Sequence, residues 1–370
     1  MRSFFLLLVG ILLVLTCQAQ TYRYDVNRDG KVNVNDAVLL VNRILVAPND
    51  EETPNDEQLS RRLTLKVTEN PLTIPNGAKV SKRRAPAIFT NTLHHFYINM
   101  MYFDGDFWWN TDRSETYRIT TSGLYENNEH WPLYAGNDDD VTVFGYYSYY
   151  KYNVDYFELN EGNPYLIVAT EESSNDQRDI LVAKKVDTWN NCQGVVNLVF
   201  DHVSAALQFS IIKTATLADY TVEVNEVKLH NVRKSGKYAL LTDKWFDVVG
   251  NSNFTLSAFK NGVENAIVVD SEEGTLIGKN ENDYLFLIPQ TITGMAKGTA
   301  IADADNAQSS YLEVKCKIFN GNNEYKVGSI DEYGSVYLPF SALLTAGHIH
   351  PFTITLGTSL RDANGNKIFN

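Results

Sequence analysis

From Leu63 to the end of the chain, apolar residues fall at every second position in run after run. Leu63-Thr-Leu-Lys-Val, Tyr220-Thr-Val-Glu-Val-Asn-Glu-Val, Tyr311-Leu-Glu-Val-Lys-Cys-Lys-Ile, Val336-Tyr-Leu-Pro-Phe and Phe352-Thr-Ile-Thr-Leu all alternate. A period of two puts the apolar side chains on one face of a strand. Asn76-Gly77, Asn261-Gly262, Asn320-Gly321 and Asn364-Gly365 are tight-turn signals between such runs. The pattern predicts a mainly β protein of sandwich architecture, each sheet with one face toward water. Ahead of Leu63 the period changes. Ala37, Leu40, Val41, Ile44 and Leu45 recur at helical spacing, and Asp36 is a good N-cap. No comparable amphipathic helix follows Leu45.

Phe4 to Leu15 is an apolar run behind Arg2. It reads as the h-region of a secretory signal peptide and is too short to span a bilayer. Two exits are open: cleavage after Ala19, or lipid attachment at Cys17. Either places the mature chain outside the cytoplasm, secreted or at the cell surface in association with an outer membrane. No other segment is apolar enough for a transmembrane helix. The organisation expected is a signal peptide over 1–19, a loop and helix over 20–47 and an acidic linker over 48–62. An N-terminal β-sandwich domain over 63–195 and a C-terminal one over 196–370 follow. The linker carries Pro48 and Pro54 among Asn, Asp and Glu.

The formal charge is −13, and −14 once Arg2 leaves with the leader. A chain this acidic lacks the basic face that nucleic acid requires. Cys192 and Cys316 lie 124 residues apart; a disulfide between them is open outside the cytoplasm, the spacing neither supporting nor excluding it, and both are expected as buried thiols.

Asp25 to Asp36 reads DVNRDGKVNVND. Oxygen-bearing side chains fall at loop positions 1, 3, 5, 9 and 12 as Asp25, Asn27, Asp29, Asn33 and Asp36. Gly30 takes position 6, where such a loop turns sharply, and the carbonyl of Lys31 takes position 7. Ca²⁺ is a hard cation that gathers about six to eight oxygens, and an EF-hand loop supplies them at this spacing. An Asx-rich turn before a short helix is the plain alternative. Asp25 to Leu45 resembles one repeat of a type I dockerin, a calcium loop followed by a helix ending in Ile-Leu. Dockerins carry two repeats and bind a cohesin domain. Here one is found, since Asp362-Ala-Asn364-Gly365-Asn366 has no Gly at position 6. The resemblance therefore implies a local calcium-stabilised helix, or half of an intermolecular pair, at least as well as a cohesin partner.

Enzyme signatures are absent from the sequence: no Gly-x-Ser-x-Gly, no His-Glu-x-x-His, no phosphate loop. The chain reads as a non-enzyme. His348 and His350 share a strand face, a spacing that suits a metal, although edge-strand surface residues are the simpler reading. His94-His95 would point to opposite faces. His202 lies among apolar residues and reads as a satisfied core histidine. The tyrosine-rich stretch Val141 to Tyr156 reads as rings packed across a sheet, or as an aromatic platform for a sugar or partner.

Three stretches taken together resemble the fimbrillin-like proteins of Bacteroidetes. Val199-Phe-Asp-His202-Val-Ser-Ala205-Ala-Leu-Gln-Phe matches one of their strands. Tyr284-Leu-Phe-Leu-Ile-Pro289-Gln290 matches a strand end, and Leu338-Pro-Phe340 through Ala346-Gly347-His-Ile-His-Pro-Phe-Thr-Ile-Thr-Leu matches the closing strands. Arg84-Ala85 with Phe96-Tyr-Ile, and Trp131-Pro132 with Val143-Phe-Gly-Tyr, fit the first half. The resemblance covers roughly Leu63 to Asn370. It implies two tandem transthyretin-like β-sandwich domains in a surface structural or adhesive protein whose partners are other surface or fimbrial subunits. In that family an Arg-specific protease removes the first strand, and a neighbouring subunit's strand fills the gap by β-augmentation. Arg61-Arg62 and Arg83-Arg84 are the pairs available for such a cut. The dockerin-like repeat and Trp108-Trp109 motivate an alternative, a carbohydrate-binding or dockerin-bearing component of a secreted polysaccharide-degrading complex with a glycan ligand.

Overall fold

The computed structural model describes residues 61–74, 95–103, 108–110, 114–118, 124–132, 135–147, 154–160, 163–177, 179–260, 262–269, 274–279 and 283–369. The leader, the calcium loop and helix, the Asn76-Gly77 turn and Arg83-Arg84 lie outside these residues. The fold below is that of the compact unit built from 62–158 and 164–370.

The alternating runs form strands. In chain order these are β1 (Arg62–Glu69), β2 (His95–Phe103), β3 (Trp108–Asn110), β4 (Ser114–Arg118), β5 (Leu124–His130), β6 (Val141–Tyr147), β7 (Val154–Asn160), β8 (Asn163–Ala169), β9 (Leu181–Asp187) and β10 (Val195–His202). One helical turn, α1 (Trp189–Cys192), precedes β10; Thr188 Oγ1 accepts from the Asn191 amide as its N-cap. Then come β11 (Ala205–Lys213), β12 (Tyr220–Ala239), β13 (Lys244–Ser257), β14 (Phe259–Lys260), β15 (Val263–Glu264), β16 (Ile267–Val268), β17 (Thr275–Leu276), β18 (Leu285–Leu287) and β19 (Thr291–Ile292). A short helix α2 (Ile301–Asn306) leads to β20 (Tyr311–Asn320), β21 (Tyr325–Val327), β22 (Gly334–Pro339), β23 (Ala342–Leu343) and β24 (Ile349–Leu356).

The first sheet closes on itself. β1 lies between β5, to which it is antiparallel, and β10, to which it is parallel. β10 pairs β9, and β9 pairs β6. On the other side β5 pairs β4, and β4 pairs β2. β2 also pairs β6, with Tyr97 opposite Tyr146 and Tyr102 opposite Val141. The result is a ring, β1-β10-β9-β6-β2-β4-β5, with β3 attached to the end of β2. Closure leaves no strand of the ring with a bare edge along these pairings. Leu63, Leu65, Phe96, Ile98, Met100, Trp131, Val143, Leu198 and Phe200 share its core. Phe96 sits at the centre, its ring 5.0 Å from Phe200 and 5.1 Å from Tyr125.

Most of the remaining strands make two larger sheets that face each other, as in a sandwich, while β14 with β15 and β19 with β23 form separate two-stranded pairs. β11 carries β17 and β18 on one edge and β24, in parallel, on the other. The opposing sheet is built on β12 and β20, which pair along ten residues each. Leu207, Phe209 and Ile211 of β11 meet Val222, Val224 and Leu229 of β12 and Val314, Cys316 and Ile318 of β20 in one core. β12 bulges between Leu229 and Val232, where Asn231 takes a left-handed conformation. Its far end then pairs with β8. The architecture is mainly β with sandwich-like sheets, as the alternation predicts. β10, at 195–202, packs with the first core.

One stretch departs from simple alternation. Every residue of β6 is buried. Tyr146 donates its hydroxyl to Asn99 Oδ1 at 2.9 Å and packs its ring 5.9 Å from Tyr97. These aromatic positions serve as packing.

Candidate interaction site at the first strand

The sequence of β1 places Leu63, Leu65, Val67 and Glu69 on one face, and that of β10 places Val196, Leu198, Phe200 and His202 on the same side. The parallel register sets Leu65 beside Val196, Val67 beside Leu198 and Glu69 beside Phe200. Two apolar rows thus run together into the core, and each ends in a titratable residue. Gly194 permits the close approach at the start: its φ is +80°, and a Cβ there would stand 2.8 Å from the Arg62 carbonyl.

His202 lies between two carboxylates. Its Nδ1 meets Asp179 Oδ2 at short range, and its Nε2 lies 3.1 Å from Glu69 Oε1, as an ion pair rather than a well-aligned hydrogen bond. The side chains of His202 and Asp179 are 1% and 0% exposed, and that of Glu69 is 14% exposed. Asp179 also accepts from the Ile180 amide through Oδ1 at 2.8 Å. Burial alone would push the imidazole pKa down. The hydrogen bond to Asp179 and the close negative charges of Asp179 and Glu69 outweigh it and raise the value to about 9. His202 is therefore an imidazolium at neutral pH. Val203, which follows, accepts from Trp245 Nε1 of β13 at 2.7 Å.

Past Glu69 the chain stays attached. The Asn70 amide donates to Phe200 O at 2.9 Å, and its side chain donates to Asp201 at 2.7 Å. Leu72 is fully buried among Ala206, Tyr284 and Ile349. The Thr73 amide donates to Gly347 O at 3.0 Å. Residues 62–74 therefore join the ring at one end and the start of β24 at the other.

The sequence reading of His202 as a satisfied core histidine holds, with partners it does not name. Asp179, 23 residues away, leaves no local pattern. Glu69 does leave one: a charge at the inward position after Leu63, Leu65 and Val67 requires a partner.

The other expected sites distribute differently. The calcium ligands Asp25, Asn27, Asp29, Lys31, Asn33 and Asp36 lie outside the described residues, as do His94 and the side chains of His95, Trp108 and Trp109. His350 is buried rather than on the surface, and its Nε2 accepts from the Thr345 amide at 3.1 Å, which leaves that nitrogen turned into the protein. Cys316 is fully buried and Cys192 half-buried; neither is in a disulfide. Among the described residues no group of His, Cys, Asp or Glu is arranged to hold a metal, and no helix is long and apolar enough to cross a membrane.

One further polar network lies on β12, β20 and β22. His230 Nε2 is 2.9 Å from Glu313 Oε2, and Ser335 donates to Glu313 Oε1 at 2.6 Å. The His230 bond, helped by that of Ser335 and opposed by burial, holds Glu313 down at about 2. The imidazole stacks on Tyr311 at 4.4 Å. Serine, carboxylate and histidine are all present, but the carboxylate stands in the middle. Nucleophilic catalysis needs the base beside the hydroxyl, so this order braces a sheet face instead.

The family model described as fimbrillin-like matches residues 105–368, a span that begins downstream of β1. Among curated proteins none matches. Solved structures with some likeness include a fimbrial protein from Bacteroides vulgatus, 17% identical over 80% of this chain and 95% of that one, with a TM-score of 0.49. A candidate cell adhesion protein from Bacteroides ovatus is 14% identical over 80% and 92%, with a TM-score of 0.42. Another from Bacteroides fragilis is 11% identical over 80% and 93%, also at 0.42. Overlays at these scores add nothing to the family match, which spans well over half the chain. On that match, this chain belongs to the fimbrillin-like family.

Proposed function

We propose that this chain is a non-catalytic structural and adhesive protein of the cell surface that joins neighbouring subunits by strand exchange in the place held by β1. The family supports the surface and adhesive part. The observation that carries the exchange is the position of β1. It is the first strand of the described chain, it is hydrogen-bonded on both edges, and it buries Leu63 and Leu65. A cut at Arg83-Arg84 would separate it from everything that follows. Its loss would bare the facing edges of β5 and β10 and the apolar positions beneath, a template for another strand. A cut at Arg61-Arg62 would leave β1 in place.

The N-terminal loop acts before any such cut. Ca²⁺, bound through Asp25, Asn27, Asp29, Asn33, Asp36 and the Lys31 carbonyl, supplies a cross-link that fixes the start of the following helix. Support for this lies in the donor set: hard oxygens at loop spacing. The two apolar cores support an organisation into two tandem transthyretin-like domains, with the change of domain after β10, whose Val196, Leu198 and Phe200 pack in the first core, and before Ala205, which packs in the second. The leader directs export to the outer membrane, with or without lipid on Cys17. Other surface subunits are the partners.

The test is assembly after proteolysis. The full chain, treated with an Arg-specific protease, should pass from monomer to detergent-resistant oligomers, and Arg83→Gln with Arg84→Gln should block this. A chain cut at Arg83-Arg84 that stays monomeric at high concentration would refute the exchange.

A further inference from the structure

The paired rows of β1 and β10 carry a constraint beyond hydrophobic matching. A one-residue slip of a strand turns its apolar side chains outward and is excluded by burial. A two-residue slip keeps the faces, and the aliphatic row Leu63, Leu65, Val67 tolerates it, since the three side chains are of similar shape. Glu69 does not. Slipped back by two, its carboxylate stands level with Leu198, which is fully buried. Slipped forward by two, Val67 takes the position now held by Glu69, and the imidazole Nε2, sealed from solvent, faces a methyl group instead of a carboxylate. Either shift separates buried opposite charges that stabilise each other only in contact. Asp179 holds the other side of the imidazole, so His202 cannot swing to follow.

We propose that Glu69, held by His202 whose far side Asp179 fixes, sets the register of the strand beside β10 and the chemistry of any strand that takes its place. The occupant is a strand of a neighbouring subunit, parallel to β10, with apolar residues at three alternate positions and a carboxylate at the fourth. The part that concerns the neighbour rests on the exchange reading above; the lock on β1 itself does not.

Two measurements separate these. Lys66 and Asn197 are outward-facing register partners. With cysteines at both, the full chain should cross-link rapidly under mild oxidation. Cysteines at Lys66 with Val195, or Lys66 with Val199, report the two slipped registers and should cross-link at least tenfold more slowly. Glu69→Gln should raise a slipped pair at least tenfold, and Glu69→Asp should not. Slipped pairs unchanged by Glu69→Gln overturn the lock. The second measurement needs no altered protein. Fluorescent peptides of residues 62–74, with Glu or Gln at position 69, are titrated into the protease-cut full chain after the excised segment is removed. Binding should be at least tenfold tighter with Glu, and equal affinity also overturns the lock. If neither peptide binds, the exchange reading fails, while the cross-linking result still decides the lock.

Discussion

The amide of Ile349 donates to the carbonyl of Thr73 at 2.7 Å, so the segment that opens the ring also borders the last strand of the chain. Residues 62–74 are thus held in two places: by Leu63 and Leu65 in one core and by Leu72 in a separate cluster. Leu65→Ala and Leu72→Ala should each cost about 2–5 kcal/mol, the usual range for emptying a buried leucine site. Urea denaturation of the full chain measures this. A loss below 1 kcal/mol at both positions would mean that the segment is not integral to the fold.

Stability should pass through a maximum in mildly acidic solution. His202 has its folded pKa raised to about 9 from 6.5. Its contribution is fully present below 6.5 and is lost as pH rises through 9. Asp179 and Glu69 are the charges that face it. Glu313 is lowered to about 2 from 4.5, so its contribution is present above 4.5 and is lost as pH falls toward 2. Each shift corresponds to roughly 3 kcal/mol at most, at about 1.4 kcal/mol per unit. Unfolding free energies between pH 3 and pH 10 should fall at both ends. His202→Gln should flatten the alkaline limb and Glu313→Gln the acid limb. An alkaline limb unaltered by His202→Gln would place that dependence elsewhere.

The two cysteines should differ in reactivity. Burial pushes the Cys316 thiol up to about 12, and that of Cys192 upward as well. The reactive species is the thiolate, so Cys316 should resist iodoacetamide until the chain unfolds. Cys192, half-buried against the first core as the last residue of α1, should react slowly in the folded state. Mass mapping of alkylated protein, native against denatured, gives the answer; rapid native labelling of Cys316 would contradict its place in the core.

Calcium should bind ahead of the described fold. Titration calorimetry of residues 20–47, repeated on the full chain, should show heat that Asp25→Ala or Asp29→Ala removes, because each deletes a charged ligand oxygen. Unchanged heat in both variants would dismiss the loop as the site.

Much of this fold is legible from period alone. Leu63 to Val67, Tyr220 to Val227 and Tyr311 to Ile318 alternate because one face of each strand is wet, and they are strands here. Val141 to Tyr147 resists that reading, since both faces are buried and alternation carries no information. The closure of the first sheet through β2 and β6 depends on pairings some 45 residues apart, which no local pattern encodes. At the site, the aliphatic row and its terminal Glu69 are visible in the letters, and Asp179 is not, because its link to His202 is set by how the chain returns. His350 looks like an edge residue by spacing, yet the turn at Thr345 folds over it and buries it.

The direction of β1 has one more effect. Its hydrogen bonds to β10 are those of a parallel pair and its bonds to β5 those of an antiparallel one, so a replacement taking the same bonds can run only one way. Where the giving and receiving segments are different parts of the chain, such a joint is head-to-tail and does not complete itself by two-fold symmetry. Copies added in this manner grow in a single sense, and the resulting fibre has two unlike ends.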